Sequence, residues 1–356
     1  MSGRAKDKLL LQGSILAAAG IITKLIGFIY RIPMANILGN QGNGIYSVAF
    51  GIYNIALTLS SYSLPLAVSK LVSAKLAREE YRNVRKVFTI SLIFGAIVGM
   101  IACIMLWFGA DFLEQLYHRK GLALPLRVLA PTTLAVAILG VFRGFLQGHG
   151  NMVPTALSQI LEQIVNAAVS VGAAAALVNI YINSPLRPAY GAAGGTLGTL
   201  CGAVAALLFF IFVYKLITPT LKKREMLDRH EIHEGKYIVH ILILTIFPVI
   251  LSQTIYQIGN TIDDLVFGTV MAAKNLPDSD VSSLQGVYNT QYNQLINLPV
   301  AVATAMAAST VPGIVHARIS GNRKEMRRRI GIVLKLTRSE ERRVGKECRS
   351  RWSPYH

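Results

Sequence analysis

The sequence is short of charged residues and nearly free of cysteine. Only 15% of its 356 residues are charged, against roughly 25% in soluble globular domains. The three cysteines, Cys103, Cys201 and Cys348, form neither a CxxC pair nor a disulfide framework. A P-loop, a GxSxG elbow and an HExxH helix are also missing. These absences argue against a soluble disulfide-rich domain and against the common soluble enzymes, so the sequence predicts no catalytic residue and no metal site.

What the chain has instead is a series of long apolar runs. Hydrophobic residues make up 53% of it, and mean hydropathy is +0.46. About 20 helical residues cross the hydrocarbon core of a bilayer, and only helices satisfy their own backbone there. The sequence therefore predicts an all-α polytopic membrane protein. Eight runs are long enough to span: Leu10–Tyr30, Ile45–Val72, Val87–Ala110, Leu124–Gln147, Pro154–Val178, Gly194–Leu216, Tyr237–Val270 and Gly286–Val315.

Basic residues are distributed unequally between the connecting segments. The net charge is +18, and most Lys and Arg residues lie in alternate connecting segments, although the inner segment at 148–153 has none. With a cytoplasmic N-terminus, the inner segments hold nineteen of them and the outer segments five. This is the positive-inside pattern and not the basic face of a nucleic-acid-binding protein. It predicts a multi-pass protein of the bacterial plasma membrane with its N-terminus inside and no nucleic-acid partner.

The last part of the chain departs from the apolar pattern. Residues 330–337 begin a ninth apolar run that is too short to cross a bilayer. Residues 338–356 are charged and lack helical periodicity. An ordinary cytoplasmic tail is one interpretation of this segment. The favoured one is a truncated ninth helix followed by a tail that resembles vector-derived read-through.

Polar side chains inside the spans are the candidate functional residues, because buried ionisable groups usually face a bundle interior or a water-filled cavity. Lys24 and Arg31 lie two turns apart on one face of the first helix. Polar residues at helical spacing also lie along the fifth, seventh and eighth spans. The predicted substrate-binding set is Lys24, Arg31, Arg143, Glu162, Gln257, Asn260, Asn293, Gln294 and Asn297, and the predicted coupling-ion acids are Asp263 and Asp264.

Each of these residues also has a purely architectural interpretation. A single Asn or Gln can serve an interhelical hydrogen bond, and Arg143 with Glu162 can form a structural ion pair. Four polar stripes together favour a hydrated cavity, in which the cations suit a pyrophosphate and the acids suit a coupling cation. The glycines Gly194, Gly198 and Gly202 have GxxxG spacing, which predicts close helix packing. The HEIHE run at 230–234 is expected to be a solvated loop, not a metal site.

Four segments of the chain resemble one family of membrane transporters. They are ITKLIGFIYRIPMANILGNQGNGIYSVAF at Ile22–Phe50, LPLAVSKLVSAKLA at Leu64–Ala77, a stretch with RGFLQG and PTALSQ within Leu126–Gln163, and NLPVAVATAMAASTVP at Asn297–Pro312. They resemble the MurJ/SpoVB-type polysaccharide transporters of the multidrug/oligosaccharidyl-lipid/polysaccharide flippase superfamily, and the similarity covers nearly all of residues 1–329.

The resemblance implies a MATE-like bundle of two lobes. It divides the chain into a tail (1–9), an N-lobe of six helices (10–217), an inter-lobe loop (218–236) and the first two C-lobe helices (237–329). Lys24 matches a cavity-lining basic position of the family, and Arg31 lies one residue beyond another. Gln294 and Asn297 stand where the family carries an Arg and a Glu, so polarity is kept without charge. Asp263 or Asp264 corresponds to an acid near which some members bind sodium.

The resulting hypothesis is a flippase, not an enzyme. It translocates an undecaprenyl-pyrophosphate-linked cell-wall or polysaccharide precursor, similar to lipid II, by alternating access. Its partners are this lipid-linked sugar and the bilayer, it acts as a monomer, and it has no cofactor apart from coupling to Na⁺, H⁺ or membrane potential. The alternatives are a drug/cation antiporter of the same superfamily, a membrane-embedded polyprenyl glycosyltransferase, and a non-transporting scaffold or scramblase-like helper.

Overall fold

A computed structural model describes residues 3–231, 234–274 and 276–292, together with short helical pieces between residues 323 and 331. Within these residues the regular structure is entirely helical, which confirms the predicted fold class. The helices are α1 (Gly3–Ser60), α2 (Leu64–Leu76), α3 (Tyr81–Leu116), α4 (Ala123–Gly148), α5 (Val153–Ile180), α6 (Arg187–Leu227), α7 (Gly235–Ala273) and α8 (Asp278–Val287), and a π-helical turn follows at Tyr288–Tyr292.

Six helical stretches of the described chain are long and apolar enough to cross a membrane. The first, Ala18–Leu76, has 59 residues, which is enough for two crossings at about 20 residues each. These stretches account for the first seven predicted spans. The eighth predicted span begins inside α8 and continues beyond residue 292, outside the described residues.

Helix α1 is kinked at Gly39, where the sequence predicted a loop over residues 31–44. Gly39 has φ 64° and ψ −179°, a combination that only glycine adopts without strain. The side-chain amide of Asn43 donates to the carbonyls of Ala35 and Gly39 at 2.8 and 2.7 Å. These are carbonyls of the kind that a helix end leaves unpaired. The chain therefore turns back into a second span without a loop, and the end of the bundle at this kink is called the Gly39 end below.

The glycines of α6 pack against the backbone of α5, as their spacing predicted. A Cβ added at Gly194 would lie 2.6 Å from the Ala173 carbonyl oxygen, and one at Gly202 would lie 2.6 Å from that of Glu162. A Cβ added at Gly198 would lie 2.5 Å from the Asn166 carbonyl oxygen. This approach fixes the helix that carries Glu162 and Asn166 and so sets the position of polar groups inside the N-lobe.

The end of the N-lobe opposite the Gly39 end contains an aromatic core. The ring of Phe88 on α3 contacts those of Phe142 and Phe145 on α4 and that of Tyr214 on α6, with centroids 4.4–5.3 Å apart. Such clusters bury a large apolar area and lock the helices that contribute to them. The end of the bundle next to this core is the one that the charge distribution predicts to be cytoplasmic.

The linker between α6 and α7 is anchored to the start of α3. The carboxylate of Asp228 accepts hydrogen bonds from the backbone N–H of Arg82, at 2.7 Å, and from the backbone and ring of His230. Burial alone raises the pKa of Asp228, but these hydrogen bonds outweigh it and hold that pKa below the usual value. Asn83 also donates to the Glu231 carbonyl. His230 and Glu231 are both exposed, as expected for a solvated loop, while these hydrogen bonds hold this part of the HEIHE run against α3. Residues 232–233 lie outside the described residues.

Candidate functional site: a polar cavity at the α1 kink

A polar cavity of about 240 Å³ lies between α1 and the helices that follow the linker. Its charged members are Arg31 on α1 and Asp264 on α7. The other lining residues are neutral: Met34, Ala35, Asn43, Tyr46, Ser47, Phe50, Gly51, Asn54 and Asn289. The kink at Gly39 makes this arrangement possible, because it places both arms of α1 on the same cavity. A cation, an acid and several amides around one space form a site that can bind a polar, charged ligand.

The two basic residues of the first span differ in their surroundings. Arg31 is exposed and lines the cavity, beside the kink. Lys24 is also exposed but is not among the residues that line the cavity. The structure thus brings Arg31 together with Asp264, while Lys24 lies two turns away along the same helix.

Asp264 is the centre of a hydrogen-bond network at the cavity wall. The side chain of Gln285 donates to its Oδ1 at 2.6 Å, and Asn289 lines the same cavity. Asn289 donates to the hydroxyl of Ser47 at 2.9 Å and so links α1 to the π-helical turn. Asp263, its neighbour in sequence, is exposed and lines a separate groove on α7 with Val266 and Val270. The two predicted acids therefore lie at different sites, and only Asp264 belongs to the cavity.

Arg143 and Glu162 form an ion pair inside the N-lobe, with Nη2 and Oε2 2.5 Å apart. The Arg143 Nη2 also lies 3.5 Å from the Ser158 hydroxyl, while its Nε is buried and has no hydrogen-bond partner. Neither residue lines the cavity at the kink. The geometry of this pair therefore fits the architectural interpretation, in which the two charges pair with each other inside the bundle.

Asn166 belongs to an interhelical chain of hydrogen bonds. Its amide lies 3.5 Å from the Tyr30 hydroxyl, and its carbonyl oxygen lies 2.9 Å from the Ser170 hydroxyl. Tyr30 in turn lies near Tyr46, a cavity residue. The polar stripe of α5 thus divides into an ion pair and a packing contact, and it reaches the cavity only through Tyr30.

Several predicted site residues lie where the structure gives no side-chain description. Gln257 and Asn260 belong to α7, but their side chains are outside the described residues. Asn293, Gln294 and Asn297 fall after residue 292 and are outside them altogether. Their assignment to substrate binding stays a prediction.

The sequence analysis missed the residues that surround Asp264. Asn43, Ser47 and Asn54 lie on the second arm of α1, and Gln285 lies one turn before Asn289, which the predicted polar stripe of the eighth span already included. Asn43 was hidden by the run NQGNG, whose composition is typical of a loop. Helical spacing of Asn43, Ser47 and Asn54, at steps of four and seven, was the signal that could have revealed this face.

The chain matches the family model described as polysaccharide biosynthesis protein over residues 9–317. It is 29% identical over 311 residues to stage V sporulation protein B of Bacillus subtilis (strain 168), covering 87% of this chain and 58% of that protein. It is 27% identical over 338 residues to the lipid II flippase MurJ of the same organism, covering 91% of this chain and 61% of the flippase. The chain thus spans about three fifths of the length of these curated relatives.

Solved structures of transporters share the fold. The structure superimposes on MATE in the straight conformation with a TM-score of 0.60 at 17% identity, covering 93% of this chain and 69% of that one. It superimposes on a MOP superfamily transporter from Pyrococcus furiosus with a TM-score of 0.59 at 18% identity, covering 94% and 72%. The MATE-like bundle predicted from the sequence is therefore present. Because the family model covers most of the sequence and the bundle is MATE-like, this multi-pass membrane chain belongs to the polysaccharide biosynthesis protein family, the family of the MurJ and SpoVB transporters.

Proposed function

We propose that this chain belongs to a flippase that moves an undecaprenyl-pyrophosphate-linked cell-wall or polysaccharide precursor from the inner to the outer leaflet. The observation that carries the proposal is the cavity at the α1 kink, where Arg31 faces a space bordered by amides and hydroxyls. A guanidinium binds phosphate oxygens through two parallel N–H donors, and amides suit the hydroxyls of a sugar. The similarity to a protein named lipid II flippase supports the same substrate class.

The lipid tail of such a substrate stays in the bilayer while the head group occupies the cavity. Lys24, exposed two turns from Arg31, provides a second cation on the path of the pyrophosphate. In this proposal, Gln257, Asn260, Asn293, Gln294 and Asn297 contact the sugar, and the ion pair of Arg143 with Glu162 supports the N-lobe. The lobes rock about the site so that it faces first the cytoplasm, where the N-terminus lies, and then the outside.

Asp264 is the proposed site at which a cation couples to transport. It lines the same cavity as Arg31, so a bound cation at Asp264 changes the net charge that the substrate meets. Asp263 lies in the separate groove on α7 and offers a second carboxylate on the same helix. Na⁺, H⁺ or the membrane potential supplies the driving force in this proposal.

A drug/cation antiporter is the second candidate, because Asp264 shares the cavity with the aromatic rings of Tyr46 and Phe50. A carboxylate with aromatic neighbours suits an organic cation. A flippase for an anionic lipid needs basic side chains toward its substrate, whereas an antiporter for organic cations needs an acidic one. Variants of the basic residues therefore distinguish the two candidates.

The function is tested by expressing the complete gene in bacteria depleted of their lipid II flippase. We expect the wild-type gene to restore growth and precursor export, and Lys24→Ala to lower export at least several-fold, because one of the two cations on the pyrophosphate path is lost. Lys70→Ala is the matched control, since Lys70 is an exposed lysine of α2 away from the cavity. Failure of the wild-type gene, accompanied by efflux of cationic dyes, would point to the antiporter.

A further inference from the structure

Arg119, in the connection between α3 and α4, is buried, and no carboxylate of the described residues contacts it. Its side chain lies at the Gly39 end and is 2% exposed, the largest fully buried side chain of the described residues. Its Nη1 donates to the Ser282 hydroxyl at 3.2 Å, and its Nη2 donates to the side-chain oxygen Oε1 of Gln285 at 2.5 Å. Both hydrogen-bond partners of the guanidinium are neutral side chains of α8. A buried guanidinium requires a compensating negative charge nearby.

One compensating charge reaches Arg119 through the side chain of Gln285. The same side chain that accepts from Arg119 donates from its Nε2 to Asp264 at 2.6 Å. An amide that accepts from a cation and donates to an anion is polarised in one direction by both, which strengthens each hydrogen bond. Asp278, at the start of α8, is the acid whose charge acts most strongly on Arg119, and Asp264 comes second. Of the two, Asp264 is the one joined to Arg119 by hydrogen bonds through a shared side chain. The carboxylate that lines the cavity is therefore joined to the buried cation by a single side chain.

The same place is where α1 and α8 touch backbone to backbone. A Cβ at Gly44 would collide with the Ser282 carbonyl, and one at Gly286 would collide with the Asn40 carbonyl. Asn40 and Gly44 lie one turn apart on α1, and Ser282 and Gly286 lie one turn apart on α8. The two helices therefore cross in a reciprocal contact at their glycines. Arg119 binds Ser282 and Gln285 within this crossing. It therefore holds α8 on the crossing that closes the Gly39 end.

We propose that Arg119 is a positioning residue that makes closure of the Gly39 end depend on the negative charge of Asp264. This inference rests on the proposed transport function. With Asp264 charged, Gln285 is aligned between the two groups and α8 stays on α1. When a cation neutralises Asp264, Arg119 loses the compensating charge that reaches it through Gln285, the alignment of Gln285 weakens and the crossing of α1 with α8 loosens. Cation binding in the cavity thereby weakens closure of the Gly39 end.

The test is the distance between α1 and α8 in the full-length protein, with the native cysteines replaced by serine. Spin labels at Asn36 and Leu284, both exposed, report this distance by pulsed electron paramagnetic resonance. We expect Arg119→Gln to raise the ratio of the longer to the shorter distance roughly tenfold, the loss expected for a hydrogen bond to a charged group. Lys120→Gln, the exposed neighbour, is expected to leave the ratio unchanged. An unchanged ratio in Arg119→Gln would overturn the proposal.

A second set of variants separates this relay from simple loss of packing. Asp264→Asn should raise the ratio of longer to shorter distances in the wild-type background. It should have no such effect in the Gln285→Glu background, because the new carboxylate compensates Arg119 directly. Equal effects of Asp264→Asn in the two backgrounds would contradict the relay. The distances are measured without substrate, so a failed complementation experiment with these results intact would reject the proposed substrate and leave the relay standing.

Discussion

Glu162→Ala is expected to destabilise the N-lobe by about 3 kcal/mol, because it leaves the Arg143 guanidinium without its carboxylate. That estimate is taken at the lower end of the range for broken buried pairs, since a quarter of the Glu162 side chain is exposed. The Nε of Arg143 is already buried without a partner, and the Ser158 hydroxyl, at 3.5 Å, is a poor replacement for the lost charge. The measurement is the melting temperature of the purified full-length protein in detergent.

A double variant distinguishes an architectural pair from a substrate contact. Arg143→Met combined with Glu162→Leu removes both charges, and apolar replacement of an ion pair is often neutral for stability. We expect it to recover at least half of the lost melting temperature. Gln159→Ala, one turn earlier on α5, is the control and should have little effect. A double variant that melts as low as Glu162→Ala would contradict the assignment of the pair to N-lobe architecture.

Gly286→Val is expected to lower export to less than a tenth of the wild-type level. A side chain at this position cannot coexist with the Asn40 carbonyl, so the contact between α1 and α8 cannot form. A transporter that works by alternating access must close each end in turn, and a valine here prevents closure of the Gly39 end. Export of the precursor in cells, normalised to the amount of protein in the membrane, measures the effect.

The control for this variant is a glycine with free space around it. Gly172 on α5 has nothing within 4 Å of the position of an added Cβ, so Gly172→Val should export normally. Undiminished export by Gly286→Val at normal protein levels would show that the crossing of α1 with α8 is not needed for transport.

The helices and the packing of the N-lobe followed from simple regularities of the sequence. Apolar length predicted the spans, and the spacing of Gly194, Gly198 and Gly202 predicted the contact of α6 with α5. Such patterns are local, and they depend on residue type and periodicity alone. The ion pair of Arg143 with Glu162 was also predicted as an alternative, because two opposite charges inside neighbouring spans favour each other.

The site was predictable only in part, because it is made by a kink and by contacts distant in sequence. Arg31 and Asp264 were both named, but the sequence could not show that they share a cavity while Lys24 and Asp263 lie outside its wall. Arg119 has no periodic signature, and in a connecting segment an arginine is normally solvated. Its burial depends on α8 folding over it, which no local pattern reports.

The central claim, that the cavity at the α1 kink binds a pyrophosphate-linked lipid, is tested most directly by equilibrium binding. Purified full-length protein is titrated with an undecaprenyl-pyrophosphate-linked sugar, and Arg31→Gln is compared with the wild type and with Lys70→Gln. The account predicts that Arg31→Gln weakens binding roughly tenfold or more, the loss of a charge-assisted contact, while Lys70→Gln binds like the wild type. Equal affinity of the wild type and Arg31→Gln would contradict it.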